Sequence, residues 1–486
     1  MPSLVLTAFA FGLLATYIFT TLIHPLIFSP LSKIPGPKPY ALTKWRLAWE
    51  DWTGRRTRSI HALHQQYGAA IRIGPKEVHF NSLTALRTIY GAGSGFERTE
   101  FYRMFDAYGR KNMFTFQGVA EHARRKRLLA HAYSKSAVLK GWADVVIKSK
   151  IEDFIASVAV SKTQSENKSK ESNGKAIGKG KAKTIKIFAQ LHYYAIDVIT
   201  TFLYGTHFGG TTALQGTTAH TALLNDIMDP SRRHLAWFAI HMPSLTTWLY
   251  TRTGVLERLV RPLLPMQKPS TYTGIRIHAL TAMQAYRDAD VKARETAGGS
   301  IIEKLWSAKD AAGLDDLDVA SECADHLLAG IDTTSDTLMF LLWALSLPHN
   351  AGIQAALIAE ARGLPSSAFS RAGALEPGVA DTLPILGAVV TETLRLFAPL
   401  PSSEPRVSST DVCVDGYVVP AGTVCSVAPW SLHRNGDVFV EPLKWDPGRW
   451  MREEGEDEEG FREREKEMKK WFWAFSSGAR MCIGMQ

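Results

Sequence analysis

FSSGARMCIG, residues 475–484, sets Arg480 and Cys482 between two glycines, Gly478 and Gly484. A cysteine that ligates a metal does so as a thiolate, and a thiolate in apolar surroundings needs compensation nearby. Backbone N–H groups of a glycine-bearing loop, and the start of a following helix, can supply it. Arg480 adds a cation able to pair with a carboxylate. Taken alone, the loop is more simply a place for a buried structural cysteine. The decision rests on what surrounds it.

Upstream, DTLPILGAVVTETLRLF (381–397) reads as a helix in which Glu392 and Arg395 stand three residues apart on one face. The helix is otherwise apolar, so the pair is expected to be buried and fully satisfied. The stretch 318–347 is apolar on most sides and predicts a central buried helix. It contains AGIDTT (329–334), where Asp332 and Thr333 place an acid and a hydroxyl in dry surroundings. That is costly unless water or a ligand uses them. The plain alternative is that Thr333 bonds back to a carbonyl one turn earlier. EHARRKRLL (121–129), with His122 and Lys126, reads as a basic helix, for which a solvated face is the plain alternative. DVCVDGYVVPAGTVCSV (411–427) has β-branched runs broken by Asp-Gly and Pro-Ala-Gly, a hairpin signal. The fold class is therefore mainly α with a small β element.

At the amino end, residues 4–23 carry no charge and are long enough for one membrane span, and the apolar run continues past His24 and Pro25 to about Phe28. No basic residue precedes it and no small-residue cleavage site follows clearly, which favours an uncleaved transmembrane anchor (1–28) over a signal peptide. Lys33, Lys38, Lys44, Arg46, Arg55 and Arg56 all follow it, placing the bulk of the chain in the cytosol. Four prolines in SPLSKIPGPKPY (29–40) predict a stiff, extended linker without helix. The formal charge is +9. Eight Lys against two Glu in 161–186 supply most of it, and this stretch reads as a disordered, solvated insertion. No aromatic residues interleave with those lysines, so nucleic acid is not the expected partner. The mixed-charge block 452–470 predicts an exposed insertion or a solvated helix. The four cysteines, Cys323, Cys413, Cys425 and Cys482, match neither a zinc spacing nor a disulfide framework.

FxxGxRxCxG, met at every fixed position in 475–484, resembles the haem-binding loop of the cytochrome P-450 family. Glu392-Thr-Leu-Arg395 resembles its ExxR motif, and AGIDTT its oxygen-activation motif. WDPGRW resembles the phrase whose arginine completes a Glu-Arg-Arg cluster, with Gly448 where glutamate is usual. The helix at 121–129 resembles the one bearing WxxxR, with His122 for Trp and Lys126 for Arg. The resemblance implies a single haem domain over 41–486, with heme b (iron protoporphyrin IX) held axially by the Cys482 thiolate. It implies that His122, Lys126, Arg406 and Arg480 meet the haem carboxylates, and that Glu392, Arg395 and Arg449 are structural. Gly330 would let a flat cofactor and dioxygen approach, while Asp332 and Thr333 would handle protons. The implied activity is a monooxygenase at the endoplasmic reticulum, hydroxylating or epoxidising a lipophilic small molecule. Its electrons would come from NADPH–cytochrome P-450 reductase, with cytochrome b5 as a second donor. GPKEVHFNS and ALRTIYG resemble fungal members, which implies secondary-metabolite biosynthesis. Family members continue well past the cysteine, so the domain is read as C-terminally truncated. A reductase-independent isomerase or dehydratase and a non-catalytic product stay as alternatives.

Overall fold

In the computed structural model, residues 2–170, 185–227, 231–251, 254–260, 262–263 and 274–485 are described. Helix α1 (Pro2–Ile18) runs on as a π-helical stretch, Phe19–Phe28. Val5–Phe28 forms a 24-residue apolar helix of mean hydropathy 1.9 that is unburied within the protein. One helix is therefore long and apolar enough to cross a membrane.

The connector departs from the expected extended form. Pro30–Lys33 is a 3-10 turn and Lys38–Leu42 a short α-helix, each with proline in its first turn. Proline suits that position because the N–H it lacks would have no partner there anyway. The connector is also docked: Leu31, Ile34 and Tyr40 are buried, and the Arg72 guanidinium donates to the carbonyl of Pro25 at 2.6 Å. After it come α2 (Trp45–Trp52) and α3 (Arg56–Tyr67).

The sheet order is β1-β2-β7-β4-β3, formed by Ala70–Gly74 (β1), Glu77–Phe80 (β2), Phe96–Arg98 (β3), Arg406–Ser408 (β4) and Val424–Ser426 (β7). Only β2 and β7 run parallel. Val412–Val414 (β5) and Tyr417–Val419 (β6) form the expected hairpin. Asp415 and Gly416 both have positive φ at its turn, as a two-residue primed turn requires.

The predicted central helix is α9 (Asp316–Ser346), started by a capping box between Asp315 and Asp318. Around it lie α4 (Val119–Leu129), α5 (Trp142–Lys170), α6 (Ile187–Phe208), α7 (Gly274–Asp288) and α8 (Ile301–Ala312). Their shared core holds Ile196, Leu203, Ile275, Ile301, Val319, Cys323, Leu327 and Ile331. A Cβ on Gly330 would lie 2.7 Å from Ile199 of α6. This glycine therefore serves the approach of α6 to α9 and does not leave room for a cofactor. The first ten residues of the lysine-rich insertion continue α5; its part from 171 to 184 lies outside the described residues. α10 (Pro384–Leu396) and α11 (Glu458–Trp471) are the two late helices, and only Met468 of α11 is buried, as a solvated helix requires.

Candidate haem site

The ExxR pair forms a closed buried cluster. Both Glu392 carboxylate oxygens accept from Arg395 at 2.8 Å. Arg449 Nε adds a bond at 3.0 Å, Trp450 Nε1 one at 2.9 Å and the Asp446 N–H one at 2.9 Å. Arg395 spends its other N–H groups on the carbonyls of His433, Pro442 and Lys444. One carboxylate thus serves two guanidinium groups, and backbone carbonyls take the remaining Arg395 donors, which is what makes the buried cluster tolerable. Gly448 fits without strain beside Asp446, whose carboxylate accepts its N–H at 3.0 Å.

His433 couples this cluster to the cysteine loop. Its Nδ1 donates to the Arg395 carbonyl at 2.8 Å, and its Nε2 accepts the Trp473 N–H at 2.7 Å. Burial, with Arg395 and Arg434 alongside, pushes its pKa down to about 3. Beyond Trp473 the loop closes through the Cys482 N–H on the Phe475 carbonyl at 2.9 Å. Lys126 of α4 donates to the carbonyls of Ala479 and Met481, at 3.1 and 2.8 Å. Arg480 donates to the carbonyls of Phe116 and Gln117 just before α4. Both cations fasten the loop to α4 through backbone oxygens.

Cys482 opens onto a cavity of about 320 Å³ lined by Lys126, Tyr133, Met481 and Ile483. The surrounding protein still desolvates its sulfur and pushes the thiol pKa up, opposed by the Gly484 N–H and the Lys126 ammonium. A bound metal ion reverses that balance outright.

Behind the loop is a concentration of positive charge. Arg98 and Arg406 sit directly opposite each other across the β3–β4 pair, 6% and 2% exposed. Like charges in that relation repel. Burial, with Arg406 adding repulsion, pushes Arg98 down to about 10. Arg480 is pushed down to about 9 by burial, Arg98 and Arg406. His122 is buried and held neutral, its pKa down to about 3 through burial and the same arginines with Lys126. Glu404 is paired with Arg406 at 3.1 Å. Arg98 Nε, Thr99 Oγ1 and Ser403 Oγ are buried without hydrogen-bond partners. Clustered cations with spare donors fit a cofactor carrying two carboxylates. Arg98 escapes sequence reasoning, because only the strand register brings it to Arg406.

On α9, Thr333 donates to the Ala329 carbonyl at 2.5 Å, the back-bonded arrangement, while Asp332 is exposed. Two and three turns earlier lies a network that the sequence does not announce. Glu322, fully buried, pairs with Arg125 at 2.5 Å and accepts the Met113 N–H. His326 Nδ1 meets the Tyr133 hydroxyl at 2.5 Å. Burial pushes the neighbouring Asp325 carboxyl up to about 7.

The sequence profile described as cytochrome P-450 matches residues 35–486. The chain belongs to the cytochrome P-450 family. It is 27% identical over 468 residues to cytochrome P-450 monooxygenase aflV of Aspergillus parasiticus, covering 94% of this chain and 82% of that protein. Against monooxygenase stcB of Emericella nidulans it is 28% identical, covering 94% and 79%. Against monooxygenase cypX of Dothistroma septosporum it is 27% identical, covering 99% and 86%. The chain is thus an oxidoreductase of the monooxygenase kind, in a family that uses haem with an axial cysteine thiolate.

Proposed function

We propose that this P-450 is a membrane-anchored haem-thiolate monooxygenase that hydroxylates or epoxidises a lipophilic small molecule in secondary-metabolite biosynthesis. Cys482 is its axial ligand. The observation that carries the reading is the buried Arg98–Arg406 pair behind the Cys482 loop: two adjacent cations share one carboxylate, Glu404 on Arg406, while Arg98 Nε is left without an acceptor, as a site for a cofactor carboxylate would be. When bound, the haem supplies dioxygen activation, with electron donation from the thiolate. Arg98, Arg406 and Arg480 bind the carboxylates, and neutral His122 donates a further hydrogen bond. Lys126 fixes the loop from which Cys482 projects. Asp332 takes protons from solvent, and Thr333 passes them inward on releasing the Ala329 carbonyl.

Electrons come from NADPH–cytochrome P-450 reductase, with cytochrome b5 as a second donor. Arg124 and Arg127 support this: both are exposed on α4, the helix that grips the cysteine loop, and offer a basic face to an acidic partner. The apolar helix supports placement at the endoplasmic reticulum membrane, with the domain on the cytosolic side. The test is a carbon monoxide difference spectrum of the reduced protein, followed by NADPH consumption with reductase. A thiolate-type spectrum lost in Cys482→Ser, and reductase-dependent oxidation of a bound lipophile, are expected. Retention of that spectrum in Cys482→Ser, or turnover indifferent to reductase, refutes the reading.

A further inference from the structure

Oxidising a tyrosine at neutral pH requires its proton to leave with the electron, so a base within hydrogen-bond reach decides which tyrosine gives way. Tyr133 has such a base. Its hydroxyl meets His326 Nδ1 at 2.5 Å, with ring centroids 5.3 Å apart. Accepting that bond leaves the proton of His326 on Nε2, which faces Glu322 Oε1 at 3.4 Å and has no hydrogen-bond partner of its own. Glu322 is fully buried and paired with Arg125 at 2.5 Å. The array Tyr133–His326–Glu322 is therefore set to receive a proton at Nδ1 and to stabilise the imidazolium that results. Burial, with Cys323, Glu322 and Asp325 nearby, holds the Tyr133 phenol well above its ordinary pKa, so it stays protonated until oxidised.

Tyr133 also lies where oxidising equivalents would escape. It lines the cavity onto which Cys482 opens, together with Met481 and Met485. Those sulfur atoms are the easily damaged groups there. Other tyrosines near the site lack a base. Tyr102 accepts from Arg406, Tyr90 donates to the Glu404 carbonyl, and the buried Tyr204 hydroxyl has no partner.

We propose that Tyr133 is a redox-active tyrosine, with His326 as its proton acceptor, that draws oxidising equivalents away from the Cys482 loop. The proposal rests on Cys482 holding haem. In the absence of oxidisable substrate, cleavage of an organic hydroperoxide would release the alcohol with the hydroperoxide's own proton, leave the second oxygen at the haem at the oxide level, and consume two electrons, one from the haem and one from Tyr133. The phenolic proton moves from Oη to His326 Nδ1, leaving a neutral tyrosyl radical. A reductase-derived electron later restores the phenol, and the proton returns from His326.

The test uses the full-length haem-loaded chain, cumene hydroperoxide, and the spin trap 2-methyl-2-nitrosopropane, with the adduct located by peptide mass spectrometry. The expected adduct is on Tyr133. Tyr133→Phe should abolish it and raise sulfoxidation of Met481 and Met485 several-fold. His326→Gln keeps a hydrogen-bond acceptor but removes the base, and should lower the adduct yield with Tyr133 still present. A chain with no haem refutes the reading of Cys482 and this proposal with it. A haem-loaded chain whose adduct lies on Tyr90 or Tyr102, or whose yield is indifferent to both substitutions, overturns the proposal alone.

Discussion

Gly478 has a φ of +65°, and a Cβ built on it would lie 2.1 Å from the Tyr90 carbonyl oxygen. Strain and overlap therefore act together at the turn that delivers Arg480 and Cys482. Gly478→Ala should cost roughly 2–5 kcal/mol and weaken haem retention, read by thermal unfolding and by the haem-to-protein absorbance ratio. His433 gives a second residue-scale prediction. Its folded pKa of about 3 lies below the ordinary value of 6.5, so the unfolded chain binds the extra proton first. Its contribution to stability is complete above pH 6.5 and falls between pH 6.5 and 3, by about 1.4 kcal/mol per unit. Protonation would also set an N–H against the Trp473 N–H and loosen the cysteine loop. Unfolding midpoints measured across that range should fall more steeply in the parent than in His433→Gln, whose amide both donates and accepts.

At the scale of elements, α10 stands on one carboxylate that serves Arg395, Arg449 and Trp450 at once. Glu392→Gln leaves two buried guanidinium groups uncompensated and should cost about 3–5 kcal/mol, measured by chemical denaturation. This cluster was legible in the sequence because its first pair is local, three residues apart on one helix, and its third member lies in a recognisable phrase. Arg98 and Arg406 were not legible as a pair, since they meet only through the β3–β4 register. Tyr133 and His326 were hidden likewise, coming from separate elements whose packing no periodicity encodes. Gly330 was misassigned for a related reason: its place in AGIDTT does not say which neighbour needs the space, and the neighbour is Ile199. The proline-rich connector was misread because proline forbids helix interiors but not first turns.

For the whole molecule, the apolar helix and the domain behind it make separate demands. Val5–Phe28 touches the domain only in its last turns, and none of the residues there is fully buried. Removing residues 2–28 should shift most of the chain from the membrane pellet to the supernatant at high salt, while the reduced carbon monoxide spectrum is unchanged. A chain that stays wholly in the pellet as a folded monomer would show that other surfaces suffice for attachment.

Arg72 reaches from β1 to the Pro25 carbonyl, inside the last turns of that apolar helix. Its own N–H bonds the Pro35 carbonyl, and Gly36 admits the strand so closely that a Cβ would lie 2.7 Å from the Arg72 oxygen. The domain is thereby tied to the apolar helix at both ends of a short connector. With that helix in a bilayer, as proposed, the domain would be free mainly to rotate about the membrane normal, and encounters with another anchored protein would be a two-dimensional search. Their rate would follow how densely the partner populates the membrane rather than its concentration in solution.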